Sequence, residues 1–495
     1  MKKRIIRSFV ISFVLGFIVF LVITSQQNKK IIRSKLVCKD CNIILITMTN
    51  LRYDHMSGNG YSRPTTPNLD AFGKESLVFD NAFAHSSWTL PEGMSIYTGL
   101  YPYQHGIMNR YDGSKLSPDI PTLIDILNSN GYQTAAFTGG FDYNPEFGLT
   151  NRFIEYKECA KGEAVFYPRQ QGPRVSNTSE YGQFNCTIPE AINWLKRNYN
   201  NKFFLHVQGF DAHCPFSQKG GKTYDNYTGN IDYSDCLWTF DRTKPVIKDG
   251  KTFYPVYSAK TGTSSAVLLG ERDVDHLIAI YDEAITFADG LIGRLLYEVK
   301  NMGLNDKTII IFTSEHGDMF GKNGRFMRGG PLRGTFYDDV LHIPLIIKNP
   351  KLTAKKINGL VGHADVMPTL LDFLGLQQFT TAGKSQVRLG KSLLPLILQN
   401  QEINEYIFAG SKFTPADNNP YFFKKTRVDA VRNKQWKLIE ETIFDSAMQN
   451  AFSQTIELYD IINDKEELYN LASTKKNIVN DLNSKLSPWL KTVGY

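Results

Sequence analysis

Three apolar runs in this sequence end on polar side chains, a fourth ends on two glycines, and a fifth segment presents a hydroxyl where a helix would begin. Asn42-Ile-Ile-Leu-Ile-Thr-Met48 stops at Thr49 and Asn50, and Gln133–Phe137 stops at Gly139 and Gly140. Lys202–Gln208 leads to Asp211 and His213, and Thr308–Ser314 leads to Glu315 and His316. Trp88-Thr-Leu-Pro-Glu-Gly-Met-Ser-Ile-Tyr-Thr-Gly99 reads as a loop through Pro91 entering a short helix, with Thr89 near its N-terminus. Helix N-termini favour anions. In open α/β sheets, ligands bind beyond the C-terminal ends of the strands. A hydroxyl, a carboxylate and two imidazoles meeting at such an edge are the parts of nucleophilic and acid–base chemistry.

The elements that must position these residues alternate along the chain. Asn42–Met48 is β-branched and aliphatic without polar alternation, as expected of a strand buried on both faces of a parallel sheet. Pro121–Gly131 predicts a short helix, with Pro near its start and Gly at its end. Asp273–Asn301 predicts a long helix, His342–Ile347 another strand, and Val366–Leu374 a helix closed by Gly375. Residues 157–190 and the fifty residues after Phe216 lack periodicity and read as irregular insertions. The alternation predicts a parallel sheet with helices on both faces.

Charge adds little beyond the leader. The net charge of +7 is misleading, because residues 1–35 carry eight Lys and Arg and no acid, leaving −1 for the rest. Nothing in that balance points to a nucleic-acid partner. Residues 1–30 combine a basic start with an uncharged span from Ser8 to Asn28, about the length that crosses a bilayer. No small-x-small cleavage site follows, so an uncleaved signal anchor is expected, with a cleaved signal peptide as the alternative. Either places the bulk of the chain outside the cytoplasm. The six cysteines, Cys38, Cys41, Cys159, Cys186, Cys214 and Cys236, suit disulfides there, but six cysteines allow fifteen pairings. Cys38-Lys-Asp-Cys41 has no second pair at zinc spacing and reads as a structural disulfide. Asn177, Asn185 and Asn226 sit in N-glycosylation sequons.

The motifs, taken in order, resemble the sulfatase family within the alkaline phosphatase superfamily. They are Asn42-Ile-Ile-Leu-Ile-Thr with Leu51-Arg-Tyr-Asp-His55, Thr65-Thr-Pro-Asn-Leu69, Ser95–Pro102 with His105-Gly106, Asp211–Phe216, Thr313-Ser-Glu-His-Gly-Asp318, Arg333–Tyr337, Ile343–Ile347 and Asp365–Thr369, then Val431–Leu438 and Leu458–Ala472 in the tail. The resemblance implies a large α/β domain over residues 42–385, its central sheet mostly parallel and flanked by helices. A small C-terminal α+β subdomain with an antiparallel sheet would follow over 386–495, and residues 31–41 would link the anchor to the first domain.

The resemblance also assigns roles. A divalent cation would be held by Thr49, Asn50, Glu315 and His316. With one carboxylate and one imidazole, that set suits zinc or manganese better than calcium or magnesium, and a relic site holding no metal is the alternative. Thr89 falls at the nucleophile position, where Cys or Ser would be converted to formylglycine. Thr offers no such route, so no formylglycine is expected. Thr is, however, the nucleophile in related phosphoethanolamine transferases and nucleotide pyrophosphatases. Its alternative role is a helix N-cap.

His213 and Arg333 would contact substrate and serve catalysis. The family's sulfate-contacting Arg falls on Gly93, and its Gly-Lys-Trp-His segment falls on Thr138-Gly139-Gly140-Phe141. His55, His85, His105, His206, His276 and His342 read as structural hydrogen bonders, whereas His363 could face the cleft. The aromatic stretch Tyr224–Phe240, including Tyr227, Tyr233 and Trp238, either stacks on a sugar or packs its own loop.

Two functions remain open at this point. One is an extracytoplasmic metal-dependent hydrolase or transferase acting on a sulfate or phosphate ester of a glycan or lipid headgroup. The other is a catalytically inactive pseudosulfatase that keeps the fold as a glycan-binding or interaction protein.

Overall fold

Strand β1 (Asn42–Met48) is buried at all seven positions, as its unbroken apolar run requires. Ile43 and Leu45 enter one hydrophobic core while Ile44 and Ile46 enter another on the opposite face, following the two-residue repeat of a strand. The computed structural model describes residues 37–108, 113–159, 182–214, 224–228, 236–240, 243–258, 262–327, 335–376, 388–413, 426–444 and 451–494. The anchor expected over residues 1–30 therefore lies outside the described residues, as does Arg333. Among the described residues no helix is long and apolar enough to cross a membrane.

The central sheet contains β1, β2 (Leu77–Phe83), β3 (Gln133–Thr138), β4 (Glu155–Glu158) and β5 (Phe203–Gly209). Strands β6 (Leu237–Phe240), β7 (Val246–Lys248), β8 (Lys251–Ser258) and β9 (Gly262–Leu269) form a separate antiparallel sheet. The chain then returns to the central sheet with β10 (Thr308–Thr313), β11 (His342–Lys348), β12 (Lys355–Ile357) and β13 (Val361–Gly362). The strand order is β12-β2-β11-β10-β1-β5-β3-β4, with β13 also on β2. Pairings from β10 through β4 are parallel, while β11 runs antiparallel to both β10 and β2.

Helices cover both faces. Those at Phe184–Asn198 and Glu271–Asn301 pack on the Ile44/Ile46 side, and those at Thr89–Thr98, Leu123–Ser129 and Val366–Leu374 on the other. The mostly parallel α/β architecture expected from the sequence is present.

Two insertions depart from expectation. The stretch read as an irregular loop over 157–190 begins inside β4 and ends inside the Phe184–Asn198 helix. The fifty residues after Phe216 contain β6 to β9. In the second case Tyr, Lys and Gly mask the alternation, because a small exposed sheet needs little apolar pattern; Ile247 is 78% exposed. Three disulfides are present: Cys38–Cys41 just before β1, Cys159–Cys186 across the first insertion and Cys214–Cys236 at the beginning of the second.

A second, antiparallel sheet follows in the order β14 (Ile407–Phe413), β15 (Thr426–Arg432), β16 (Trp436–Phe444) and β17 (Ala451–Asp460). Val431, Leu438 and Leu458 on one face pack against Val479, Leu482, Leu486 and Trp489 of the Lys476–Thr492 helix. Asp338, just before β11, ties this sheet to the central one, pairing with Arg432 at 2.7 Å and with Lys437 at 2.7 Å.

Candidate active site

Because β10, β1, β5 and β3 are neighbours and parallel, their C-terminal ends fall side by side. This brings Thr49, Asn50, Gly139, Asp211, His213, Glu315 and His316 to one sheet edge. The Thr89–Thr98 helix adds Thr89 as its first residue. The helix N-cap is Trp88, and no side chain caps the end, so the alternative role of Thr89 as an N-cap is not realised.

The Thr89 hydroxyl lies 3.1 Å from Nε2 of His316. Nδ1 of His316 lies 2.8 Å from the Gly317 carbonyl. A carbonyl only accepts, so Nδ1 carries the proton and Nε2 is the ring's acceptor nitrogen, facing the Thr89 hydroxyl. Thr89 is 2% exposed and His316 fully buried.

Glu315 is engaged differently. Its Oε2 accepts from the Thr49 hydroxyl at 3.1 Å and its Oε1 from the Tyr143 hydroxyl at 2.8 Å. Burial pushes this carboxyl up from its ordinary range, and the hydroxyl donors oppose the shift. Gln208, also on β5, donates to Thr49 at 2.8 Å and accepts from the Gly139 amide at 2.7 Å, stitching three strand ends together. Asn50 sits in the left-handed region at φ 71° and turns its amide nitrogen to Asp318 at 2.8 Å, leaving Oδ1 without a hydrogen-bond partner.

These contacts bear on whether a divalent cation fits. Hard cations want several anionic oxygens. Here the single candidate carboxylate already holds two hydroxyl donors, and Thr49 and Asn50 contribute only neutral oxygens. Among the described residues no three Asp, Glu, His or Cys side chains gather as a metal cluster. The donor set at positions 49, 50, 315 and 316 does not fit a divalent cation as arranged.

Two positions where the resemblance places cations, 93 and 139, carry glycine, and neutral groups stand beside both. A Cβ at Gly93 would meet Cε1 and the hydroxyl oxygen of Tyr143 at 3.2 Å, so the Tyr143 ring occupies the space beside it. A Cβ at Gly139 would overlap the Gly182 carbonyl and the Phe210 ring. Gly140 has φ 81° and Phe141 has φ 56°, a turn that carries the chain round to Tyr143.

The remaining histidines have structural partners. His55 pairs with Asp282 at 2.7 Å, His206 with the Thr47 hydroxyl at 3.0 Å, and His276 with Asp225 at 2.8 Å. His85 meets the Phe408 carbonyl at 2.8 Å, His105 the Ser95 hydroxyl at 3.2 Å, and His342 the Asp80 carbonyl at 2.9 Å. His363, for which a place facing the cleft was the alternative, is buried against Glu92 at 2.5 Å and Thr313 at 3.2 Å. His213 turns Nδ1 to the Cys214 carbonyl.

Tyr227 stacks on His276 with ring centroids 4.1 Å apart, and Tyr224 bonds Thr286 at 2.8 Å, so these two aromatics pack their own segment onto the long helix. Tyr233 and the side chains of Trp238 and Phe240 lie outside the described residues. Asn177 does too; Asn185 and Asn226 are both exposed. Tyr143, Gln208 and Asp318 are site residues that sequence reasoning did not assign. Asp318 lies inside a recognised motif, while nothing local announces the aim of Tyr143.

Comparison with known proteins bears on the same residues. The sulfatase family model matches residues 41–376, and that of the N-sulphoglucosamine sulphohydrolase C-terminal region matches residues 333–492. Arylsulfatase K of Xenopus laevis is 26% identical over 452 residues, covering 85% of this chain and 77% of that protein. The crystal structure of a phosphonate monoester hydrolase of Agrobacterium radiobacter superposes with a TM-score of 0.66 at 20% identity, covering 91% of this chain and 95% of that one. A 2-O GAG sulfatase superposes with a TM-score of 0.67 at 17% identity, covering 92% of each chain. At those identities the two structures show the shared fold.

Proposed function

The chain belongs to the sulfatase family, and from that premise we propose that it cleaves or transfers a sulfate or phosphate ester with Thr89 as nucleophile and His316 as its proton acceptor. The observation that supports this is the 3.1 Å contact between Thr89 and His316, with His316 oriented by the Gly317 carbonyl at 2.8 Å. A nucleophile, a base within hydrogen-bond reach and a third group orienting the base are the minimum such chemistry needs. The helix N-terminus behind Thr89 adds a favourable field for the anion.

In this reading Thr89 Oγ1 bonds to phosphorus or sulfur, and the bond to the leaving-group oxygen breaks. The hydroxyl proton passes to His316 Nε2 and on to the leaving oxygen. Water or an acceptor alcohol then attacks the threonyl ester and restores Thr89. Thr favours phosphate over sulfate, because it cannot be converted to formylglycine. His213 and Arg333 are assigned to substrate contact. The family is normally dependent on a divalent cation, but no step is routed through one here because the donor set does not fit it.

Substrate and setting follow from the same premise. The likeness to a 2-O GAG sulfatase favours a glycan ester. Three disulfides favour an extracytoplasmic location, to which residues 1–30 would anchor the chain. The division into 42–385 and 386–495 would assign the chemistry to the first domain.

A second reading, a pseudosulfatase that binds glycans or partners, is favoured by the hydroxyl caps on Glu315 and by the 2% exposure of Thr89. Turnover of a panel of nitrophenyl phosphate, phosphodiester and sulfate esters by the wild type and Thr89→Ala separates the two. Turnover lost in the variant supports Thr89 as nucleophile, and turnover that survives there overturns it. No turnover by the wild type transfers the case to the second reading.

A further inference from the structure

The contact between Thr89 and His316 joins the Thr89–Thr98 helix to the segment just past β10. A second, buried chain of hydrogen bonds joins the same two elements. Glu92, 0% exposed, lies three residues after Thr89, so the helix carries both side chains on neighbouring parts of one face. Its Oε2 meets Nδ1 of His363 at 2.5 Å, and Nε2 of His363 meets the Thr313 hydroxyl at 3.2 Å. Thr313 closes β10 three residues before His316. A tie thus runs alongside the Thr89–His316 contact, one helical turn away on one side and three residues away on the other.

Both ends of the tie are held. The Glu92 carboxyl also fixes the chain that leads into the helix: its Oε1 accepts from the His85 amide at 2.8 Å, and the Ser86 amide bonds the same carboxyl. At the far end, His363 starts a short turn whose Asp365 carboxyl accepts from the Gly362 amide at 3.0 Å, the Lys391 amide at 2.7 Å and the Asn404 side chain at 2.8 Å.

The partners place the protons. The Thr313 hydroxyl gives its one proton to the Pro344 carbonyl at 2.7 Å, so it accepts from His363 Nε2. One further proton then lies between His363 Nδ1 and Glu92 Oε2. Burial pushes the Glu92 carboxyl well up and the His363 imidazole down to about 4, which puts that proton on Glu92 and leaves the pair uncharged. An uncharged, hydrogen-bonded pair carries no ionic desolvation cost beneath the site.

We infer that Glu92, His363 and Thr313 are positioning residues, whose chain of hydrogen bonds holds the Thr89 hydroxyl within reach of His316 Nε2. The use of that contact in catalysis rests on the proposed function; the tie itself is geometry and is read separately.

The test pairs crystal structures with steady-state kinetics for the wild type, Glu92→Leu, Glu92→Gln and Thr313→Val, on whichever nitrophenyl ester the wild type turns over. Leucine removes the tie at the helix. Glutamine keeps it, because its carboxamide oxygen accepts from the two amides while its NH2 donates to His363 Nδ1. Valine breaks only the link to β10, and decides the matter if Glu92→Leu does not fold. In Glu92→Leu and Thr313→Val the Thr89–His316 contact should open beyond ~3.5 Å, the reach of a hydrogen bond. Their kcat should fall by about 10²-fold with KM within about threefold of wild type, and Glu92→Gln should recover at least about tenfold of that loss.

A contact that stays closed in the variants overturns the inference. So does a rise in KM with kcat unchanged, or a glutamine variant no better than leucine. A contact that opens without loss of kcat leaves the tie standing and removes His316 from proton transfer. If the wild type turns over no ester, the proposed function fails, and the contact distance alone decides the tie.

Discussion

Tyr143 donates its hydroxyl proton to Oε1 of Glu315 at 2.8 Å, across 172 positions of sequence. The same ring stands 3.2 Å from where a Cβ at Gly93 would be. One side chain thus does two things at this sheet edge: it satisfies the carboxyl that the family resemblance gives to a cation, and it fills the space the resemblance gives to an arginine.

Glu315 in this arrangement predicts weak metal retention. Elemental analysis of the protein after dialysis should find well under one divalent ion per chain. Thr49→Asp combined with Tyr143→Phe frees Oε1 and adds a second carboxylate, and should raise zinc or manganese content toward one ion per chain. A tightly held ion in the wild type would show that the hydroxyl caps yield to metal.

Thr89→Ala should lower turnover by ~10³-fold or more, the scale seen when a nucleophile is removed from a catalytic set. Stability should fall by about 1–3 kcal/mol, because Nε2 of the buried His316 loses the Thr89 hydroxyl at 3.1 Å, although no helix cap is lost. His316→Gln keeps bulk and hydrogen bonding but is a poor base, and should reduce turnover with KM little altered. A variant that raises KM alone would move His316 from proton transfer to binding.

Asp211 gives a pH dependence. Its carboxyl is buried, which pushes its pKa up to about 7, while its Oδ2 accepts from the Phe184 amide at 2.9 Å. The folded state therefore holds this proton at pH values where the unfolded chain has released it. The stability it contributes is complete below about pH 4 and is lost as pH rises toward 7. Asp211→Asn should remove part of that loss, by up to roughly 1.4 kcal/mol per pH unit between those limits. Denaturant midpoints measured from pH 4 to 8 check it; parallel curves for the two proteins would refute the assignment.

Lys437 is a stability determinant at the seam between the two sheets. Its side chain is 1% exposed and meets Asp338 at 2.7 Å and Glu467 at 2.6 Å. Lys437→Met removes the cation beside the buried Glu467, while Asp338 keeps Arg432 at 2.7 Å, and should cost about 3 kcal/mol. Urea unfolding should show it as a lowered midpoint.

The alternation of strands and helices was legible because burial on both faces of a parallel sheet needs long apolar runs, which β1, β5 and β10 display. The edge where chemistry gathers was legible for the same reason: where a buried strand stops, its next polar residues must face one side. What the sequence hid was the small sheet of β6 to β9, whose exposed surface imposes little pattern, and the antiparallel sense of β11, which depends on how its neighbours' connections cross.

At the level of individual residues the division is sharper. Amino-acid identity alone determined that positions 93, 139 and 140 offer no cation, that position 89 carries a hydroxyl with no path to formylglycine, and that one carboxylate remains among the four metal positions. Only the tertiary structure decided what took the vacated places. Strand register set Gln208 between Thr49 and Gly139, and the turn through Gly140 and Phe141 delivered Tyr143 to Glu315. Those contacts join residues far apart in the chain, and each depends on packing distances of a few tenths of an ångström, which no local pattern of residue types encodes.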